Sequence, residues 1–166
     1  MEPVAVPQLS HHDFSLDAKI WMFTSDKPFD ADQELAIQSD MDDFCAHWES
    51  HGMKLKAMGF ILYSRIIVLV VDESFHSISG CSVDNSVAFL KNLENKYRIS
   101  LFDRLMQTAY LEGNWKTLPT AAWSKLYKEN RISHETVFID TLVGNLNDLM
   151  MHVEKKLGDF WLKRII

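Results

Sequence analysis

Apolar and polar positions alternate along this chain with two different periods. Lys19 to Thr24 (KIWMFT) is a short apolar strand. Asp30 then opens a helix: its side chain is placed to cap, and Gln33 stands three residues on, as in a capping box. Ile37, Met41, Phe44, Cys45 and Trp48 recur every three or four residues, the stripe of an amphipathic helix, and Gly52 marks its end. Leu55 to Tyr63 and Arg65 to Val71 predict two strands joined tightly at Tyr63-Ser64-Arg65. Ile66 to Val71 has no polar position at all, the pattern of a strand covered on both faces.

A second helix is predicted from Val83 to Tyr97, burying Val83, Val87, Leu90, Leu93 and Tyr97. Arg104 to Leu111 predicts a strand that turns at Glu112-Gly113-Asn114 into Trp115 to Leu118. Pro119 suits the first turn of a third helix with Ala122, Trp123, Leu126 and Tyr127 inward. Thr136 to Ile139 is a brief strand, and Asn145 caps a fourth helix that carries Leu146, Leu149, Met150, Val153 and Leu157 to Gly158.

The first six elements match the split βαβ arrangement of ferredoxin-like folds. The expected architecture is therefore one α+β domain over residues 18–166, a mainly antiparallel sheet covered on one face by the first two helices, with C-terminal β/α additions. The alternative is a mixed sheet with helices on both faces. Residues 1–17, with Pro3, Pro7 and His11-His12, read as an N-terminal arm.

Composition narrows the function classes. At 166 residues, 47% hydrophobic and 24% charged, the chain is long enough for a substantial core. A net charge of −6 argues against a nucleic-acid partner, because phosphate contacts need Lys and Arg in excess. No segment approaches the roughly 20 apolar residues that span a bilayer, so no membrane partner is expected. The first residues lack the basic and apolar regions of a signal peptide, which predicts a cytoplasmic protein with Cys45 and Cys81 as free thiols. No cofactor is expected.

Three groups of residues carry candidate chemistry. Cys81 lies in the loop Ser79-Gly80-Cys81-Ser82 just before a helix, where free amides and the positive helix end favour a thiolate. His76 or His51 is the candidate base and Asp72 the accompanying acid, while Ser79, Gly80 and Ser82 form a cradle for an anion or small ligand. The structural reading of the same loop, which we prefer, makes it a strand-to-helix crossing with Ser82 as N-cap and Cys81 packed inward. His47 and His51, four apart on one helix face with Asp43, are candidate metal ligands, weighed against a solvated face. Asp72, Glu73, Asp84 and Asp103 are candidate magnesium ligands, weighed against capping of element ends. A concavity lined by Asp72, His76, Ser79, Cys81 and Ser82 is predicted beside this loop. Finally, Phe160-Trp161-Leu162 and Ile165-Ile166 form an apolar tail that folds back on the body or contacts another subunit in a homo-oligomer.

At Asp72-Glu73, at the stretch from Ser79 to Asp84 and at Asp103-Arg104, the chain resembles a bacterial family of short uncharacterised proteins. Trp48-Glu49-Ser50-His51-Gly52 and Lys116-Thr117-Leu118-Pro119 add to the likeness, which runs from about Ile20 to the third helix. Members often carry the label "ABC transporter ATPase". A nucleotide-binding P-loop needs Gly-Lys-Ser/Thr, and none of the six glycines here is followed by Lys. The resemblance therefore implies a shared fold and not that activity. The residues together predict a module acting through a protein partner or as a homo-oligomer. The alternative is a thiol-dependent or small-molecule-handling enzyme centred on the Ser79 to Ser82 loop.

Overall fold

The structure, a computed structural model, describes residues 13–166. Of the expected arm, residues 1–12 lie outside the described residues, and residues 13–17 form turns that lead into strand β1 (Lys19–Thr24). Helix α1 (Ala31–His47) begins at the expected capping box: Gln33 N donates to Asp30 Oδ1 at 2.8 Å, and Asp30 N donates to Gln33 Oε1 at 3.1 Å. Its inner stripe is Ile37, Met41 and Cys45.

The helix ends at His47, short of Gly52. Trp48 is already extended, and β2 (Glu49–Ser50) pairs with β3 (Met53–Lys54) around His51 and Gly52. Both turn residues have positive φ, 51° and 75°, the backbone of a two-residue hairpin. Gly52 thus takes the left-handed backbone its position suggested, in a hairpin and not at a helix end.

Strands β4 (Lys56–Leu62) and β5 (Ile66–Asp72) form the expected hairpin, with β1 on the far side of β5, giving the antiparallel order β1-β5-β4. Every residue of β5 is buried, because the sheet is covered twice. On one face Ile67 and Leu69 pack under α1 and under helix α2 (Gly80–Tyr97) through Met41, Leu90 and Leu93. On the other, Ile66, Val68 and Val70 meet Ile139, Leu146, Leu149 and Val153 from the C-terminal part of the chain. This is an α+β fold with the first two helices on one face, as the pattern predicts.

The β1, α1, β4, β5, α2 succession is the expected split βαβ start, with the β2–β3 hairpin inserted, but the sixth expected element does not join this sheet beside β1 as a ferredoxin-like order requires. The next strand, β6 (Met106–Leu111), leads a second sheet with β7 (Asn114–Pro119), β8 (Val137–Ile139) and β9 (Glu154–Lys156), antiparallel throughout in the order β7-β6-β8-β9. The β6–β7 turn places Glu112 and Gly113 at φ 54° and 82°. Helix α3 (Thr120–Lys128) buries Trp123, whose indole N–H donates to Gln107 O at 3.0 Å.

Helix α4 (Leu146–His152) is shorter than the expected run to Gly158. Val153 O accepts from Asp140 N at 2.7 Å, and Glu154–Lys156 pair with β8, so sheet pairing overrides a helical spacing that Val153 and Leu157 would have continued. Two 3-10 turns, Leu157–Asp159 and Trp161–Arg164, close the chain. The tail folds inward: Phe160 and Leu162 are buried with Trp123 and Phe138, leaving Trp161 and Ile165 outside. Among the described residues no helix is long and apolar enough to cross a membrane.

Candidate functional site

The end of β5 is where the sequence concentrates candidate chemistry, and there Asp72, Ser79 and Ser82 are bonded internally, while Glu73 Oε1 and Ser50 Oγ are buried without a hydrogen bond among the described residues. Asp72 is 3% exposed. Its Oδ2 accepts from Ser15 N at 2.9 Å, and its Oδ1 accepts from Ser74 N at 3.0 Å and from the Ser74 hydroxyl at 2.5 Å. Lys56 Nζ lies 3.4 Å from Oδ2. Burial alone would raise this carboxyl, but the Ser74 hydroxyl, the two amides and the Lys56 charge outweigh it and hold the pKa down to about 2. A carboxylate so held is no proton donor or acceptor near neutral pH. It is a clamp that ties the chain at Ser15 and the turn at Ser74 to the end of the central strand. Among the described residues none of these bonds joins Asp72 to His76 or Cys81.

The cradle residues are equally engaged. Helix α2 starts at Gly80, three residues before the expected position, and Ser79 rather than Ser82 is its N-cap. Ser82 N donates to Ser79 Oγ at 3.2 Å, the two hydroxyls are 2.7 Å apart, and Ser82 Oγ donates to Glu49 O at 2.8 Å. The indole N–H of Trp48 donates to Ser82 O at 2.9 Å. Ser79 and Ser82 therefore join the start of α2 to β2 and to the end of α1, and do not stand open to a ligand. Gly80 is exposed, with open space around its Cα. The earlier start also turns the helix: Ser82 and Ser86 face inward where Val83 was expected, and Val83 is exposed. Asp84 consequently falls beyond the first turn.

Cys81 points to solvent, contrary to the inward packing expected of it, and neither the Cys81 nor the His76 side chain takes part in a hydrogen bond among the described residues. The structure does not assemble Cys81, His76 and Asp72 into a relay. Neither of the two cavities described below includes any of the five residues expected to line a concavity here. Cys45 is the buried thiol, and burial, with the Asp42 charge adding, pushes its pKa up to about 12.

The candidate metal ligands separate. His47 remains on α1, with Nδ1 2.9 Å from Asp43 O and 3.8 Å from Asp43 Oδ1, but His51 sits at the hairpin tip and leaves the helix face it was to share. Asp103 Oδ1 accepts from Leu105 N at 2.9 Å, an element-end role, and Glu73 Oε1 lies 2.9 Å from Lys19 Nζ. No group of three metal-ligating side chains occurs among the described residues.

Two concavities lie elsewhere. One, of about 340 Å³, runs between α1 and α2. Its floor is Phe44 stacked on Phe89, ring centroids 4.3 Å apart and planes within 4°. Asp40 and Asp43 border it. Lys96 Nζ donates to both Asp40 oxygens, at 3.0 and 2.7 Å, and Tyr97 donates to Oδ2 at 2.7 Å. Burial pushes the Asp40 carboxyl up, yet these two donors and the Lys96 charge keep it below its ordinary value. Asp43 is largely exposed on α1, which carries five carboxylates and no Lys or Arg. Sequence spacing placed Phe44 in the inner stripe; that it opens into a groove depends on its stacking against Phe89 of α2, 45 residues on, which no local pattern encodes. The second cavity, of about 280 Å³, lies beside the C-terminal turns.

Comparison of the chain with family models, with curated proteins and with solved structures found no match.

Proposed function

We propose that this chain is a non-catalytic cytoplasmic module that acts through a protein partner, and that the partner docks in the groove between α1 and α2. The observation that carries this reading is the groove itself: an aromatic floor of Phe44 and Phe89 whose lining Lys96 is taken up by Asp40, leaving Asp43 without a Lys or Arg partner among the described residues, on a helix that bears no Lys or Arg. Charge complementarity selects the occupant, a segment of another protein that presents an apolar side chain flanked by Lys or Arg. Two copies of this chain meeting through the same face would oppose acid to acid, in a protein whose net charge is already −6. The satisfied polar groups around Asp72, Ser79 and Ser82 favour a binding role over catalysis. An ATPase is disfavoured by glycines that never precede Lys.

The test uses synthetic peptides with a central Leu or Phe between Lys and Arg, their acidic-flanked counterparts, and amide chemical shifts of the protein. The expected result is saturable binding of the basic peptides with shifts centred on Asp43 and Phe89. It should weaken about tenfold or more in Asp43→Lys and fall with salt. Equal binding of acidic peptides, shifts confined to another face, or no saturable binding would overturn it. A stable dimer in light scattering that Asp43→Lys disrupts would replace it by self-association.

A further inference from the structure

The cavity beside the C-terminal turns lies apart from the proposed docking groove, and different elements build it: β8, β9 and the last two 3-10 turns. An aromatic column leads to it from the interior. Trp123 meets Phe138 at 5.1 Å, Phe138 stacks on Phe160 at 5.6 Å, and Phe160 meets Trp161 at 5.1 Å. The first three rings are essentially inaccessible, whereas Trp161 is 37% exposed and lines the cavity. Its indole N–H has no acceptor among the described residues, unlike those of Trp48 and Trp123. An aromatic platform held from behind by packed rings loses little freedom when a ligand settles on it.

The charges around the platform do not cancel. Asp140 is buried and paired with Lys155 at 2.5 Å, its other oxygen accepting from Leu142 N at 3.0 Å, so this pair is self-contained. Asp159 also lines the cavity and makes no ion pair among the described residues, since Lys156 is held by Glu135 at 2.6 Å, so one open carboxylate stands against two cations. Lys163 and Arg164 remain. Lys163 Nζ donates only to the backbone at Gly158 O, and Arg164 makes no ion pair among the described residues. A guanidinium with no hydrogen-bond partner among the described residues, an ammonium bonded only to a backbone carbonyl and an aromatic face around one cavity of about 280 Å³ make up a recognition set of definite chemistry. The volume is near the lower end for small-molecule sites.

We propose that this cavity binds a small planar ligand carrying one anionic group, with its ring on Trp161 and its carboxylate or phosphate on Arg164 and Lys163. The ring contributes stacking and apolar burial against Trp161 and Phe160. The anion gains charge-assisted hydrogen bonds, bidentate from Arg164. The Asp140–Lys155 pair forms a polar wall of the cavity and takes no part in holding the anion.

The test is calorimetric titration of the whole chain with 2-naphthoate, 2-naphthyl phosphate, the uncharged 2-naphthol and inorganic phosphate, with amide shifts to locate binding. The expected result is saturable binding of one or both naphthyl anions with shifts at Trp161 and Arg164. Loss of the anion or of the guanidinium should each weaken it about tenfold or more, so 2-naphthol and the Arg164→Gln variant both bind poorly. Trp161→Ala should abolish binding, and Trp161→Phe, which keeps a ring over Phe160, should retain part of it and show that the fold survives. The naphthoate and phosphate arms decide which anion the cavity prefers. The proposal is overturned if neither anion saturates, if 2-naphthol or inorganic phosphate binds as tightly as the naphthyl anions, or if Arg164→Gln changes nothing.

Discussion

The serines at the first turn of α2 and the charged and indole groups of the last turns of the chain are used in opposite ways. At α2 the two serines bond to each other and to the backbone of β2, Trp48 bonds to Ser82, and nearby Asp72 accepts three hydrogen bonds. At the C-terminus Arg164 and the Trp161 indole N–H have no partner among the described residues. The lesson is that residue type marks where chemistry is available, and only the accounting of hydrogen bonds decides whether it is free.

The largest effect should come from breaking the satisfied region at Asp72. Asp72→Ala leaves the Ser15 and Ser74 amides and Lys56 without their acceptor, and should lower stability by about 3 kcal/mol in urea denaturation at pH 7. The pH dependence follows from a folded-state pKa below the unfolded one. The contribution of Asp72 is complete above the ordinary carboxyl value, near 4, and is lost as pH falls through about 2. The gap between wild type and variant should therefore be constant above about pH 5 and close toward pH 2. A gap that persists undiminished at pH 2 would show that the carboxylate charge is not what the amides hold.

Ser82→Ala is next, at about 1–2 kcal/mol, since Glu49 O loses its donor and the cap at Ser79 loses its reciprocal partner. A cost below about 0.3 kcal/mol would mean the turn is less tightly knit than its distances imply.

The thiols sharpen the comparison kinetically. In the native protein Cys81 should alkylate stoichiometrically while Cys45, with its pKa near 12, reacts only on unfolding. His76→Asn should leave the Cys81 rate unchanged, because no hydrogen bond joins them. A tenfold fall would reinstate an assisted thiol and with it the enzymatic reading. The smallest effect belongs to the open region: Arg164→Gln should change stability by less than about 0.5 kcal/mol, as expected for a group with nothing to lose in the free protein.

Features with a local cause were legible in the sequence. The all-apolar run Ile66–Val71 required cover on both faces, the Asp30–Gln33 box opened α1, and Glu112-Gly113 turned β6 into β7. Features with a distant cause were not. Trp48 fits the α1 spacing, yet leaves the helix to reach Ser82, 34 residues on. Val153 continues the α4 stripe, but β8 draws the next residues into a sheet. In the candidate site the polar end of β5 was visible, whereas its partner Ser15 lies 57 positions away. The apolar tail stood out as unusual; that Asp140 and Lys155 would wall a cavity beside it depends on the β8–β9 register.

The two-sided cover of β5 also has a consequence during synthesis. Residues of α1 and α2 can shield Ile67 and Leu69 soon after β5 leaves the ribosome, because Ala31–His47 has already emerged and Gly80–Tyr97 follows at once. The opposite row, Ile66, Val68 and Val70, must wait for Ile139 to Val153. At about 5–20 residues per second that is an interval of several seconds in which a finished, apolar half-sheet faces solvent. Long-range closure of this kind slows folding and exposes the nascent chain to association. Ile66, Val68 and Val70, with Ile20, Met58 and Phe60 of the same face, therefore form the apolar surface that a chaperone would have to cover until Ile139 to Val153 arrive.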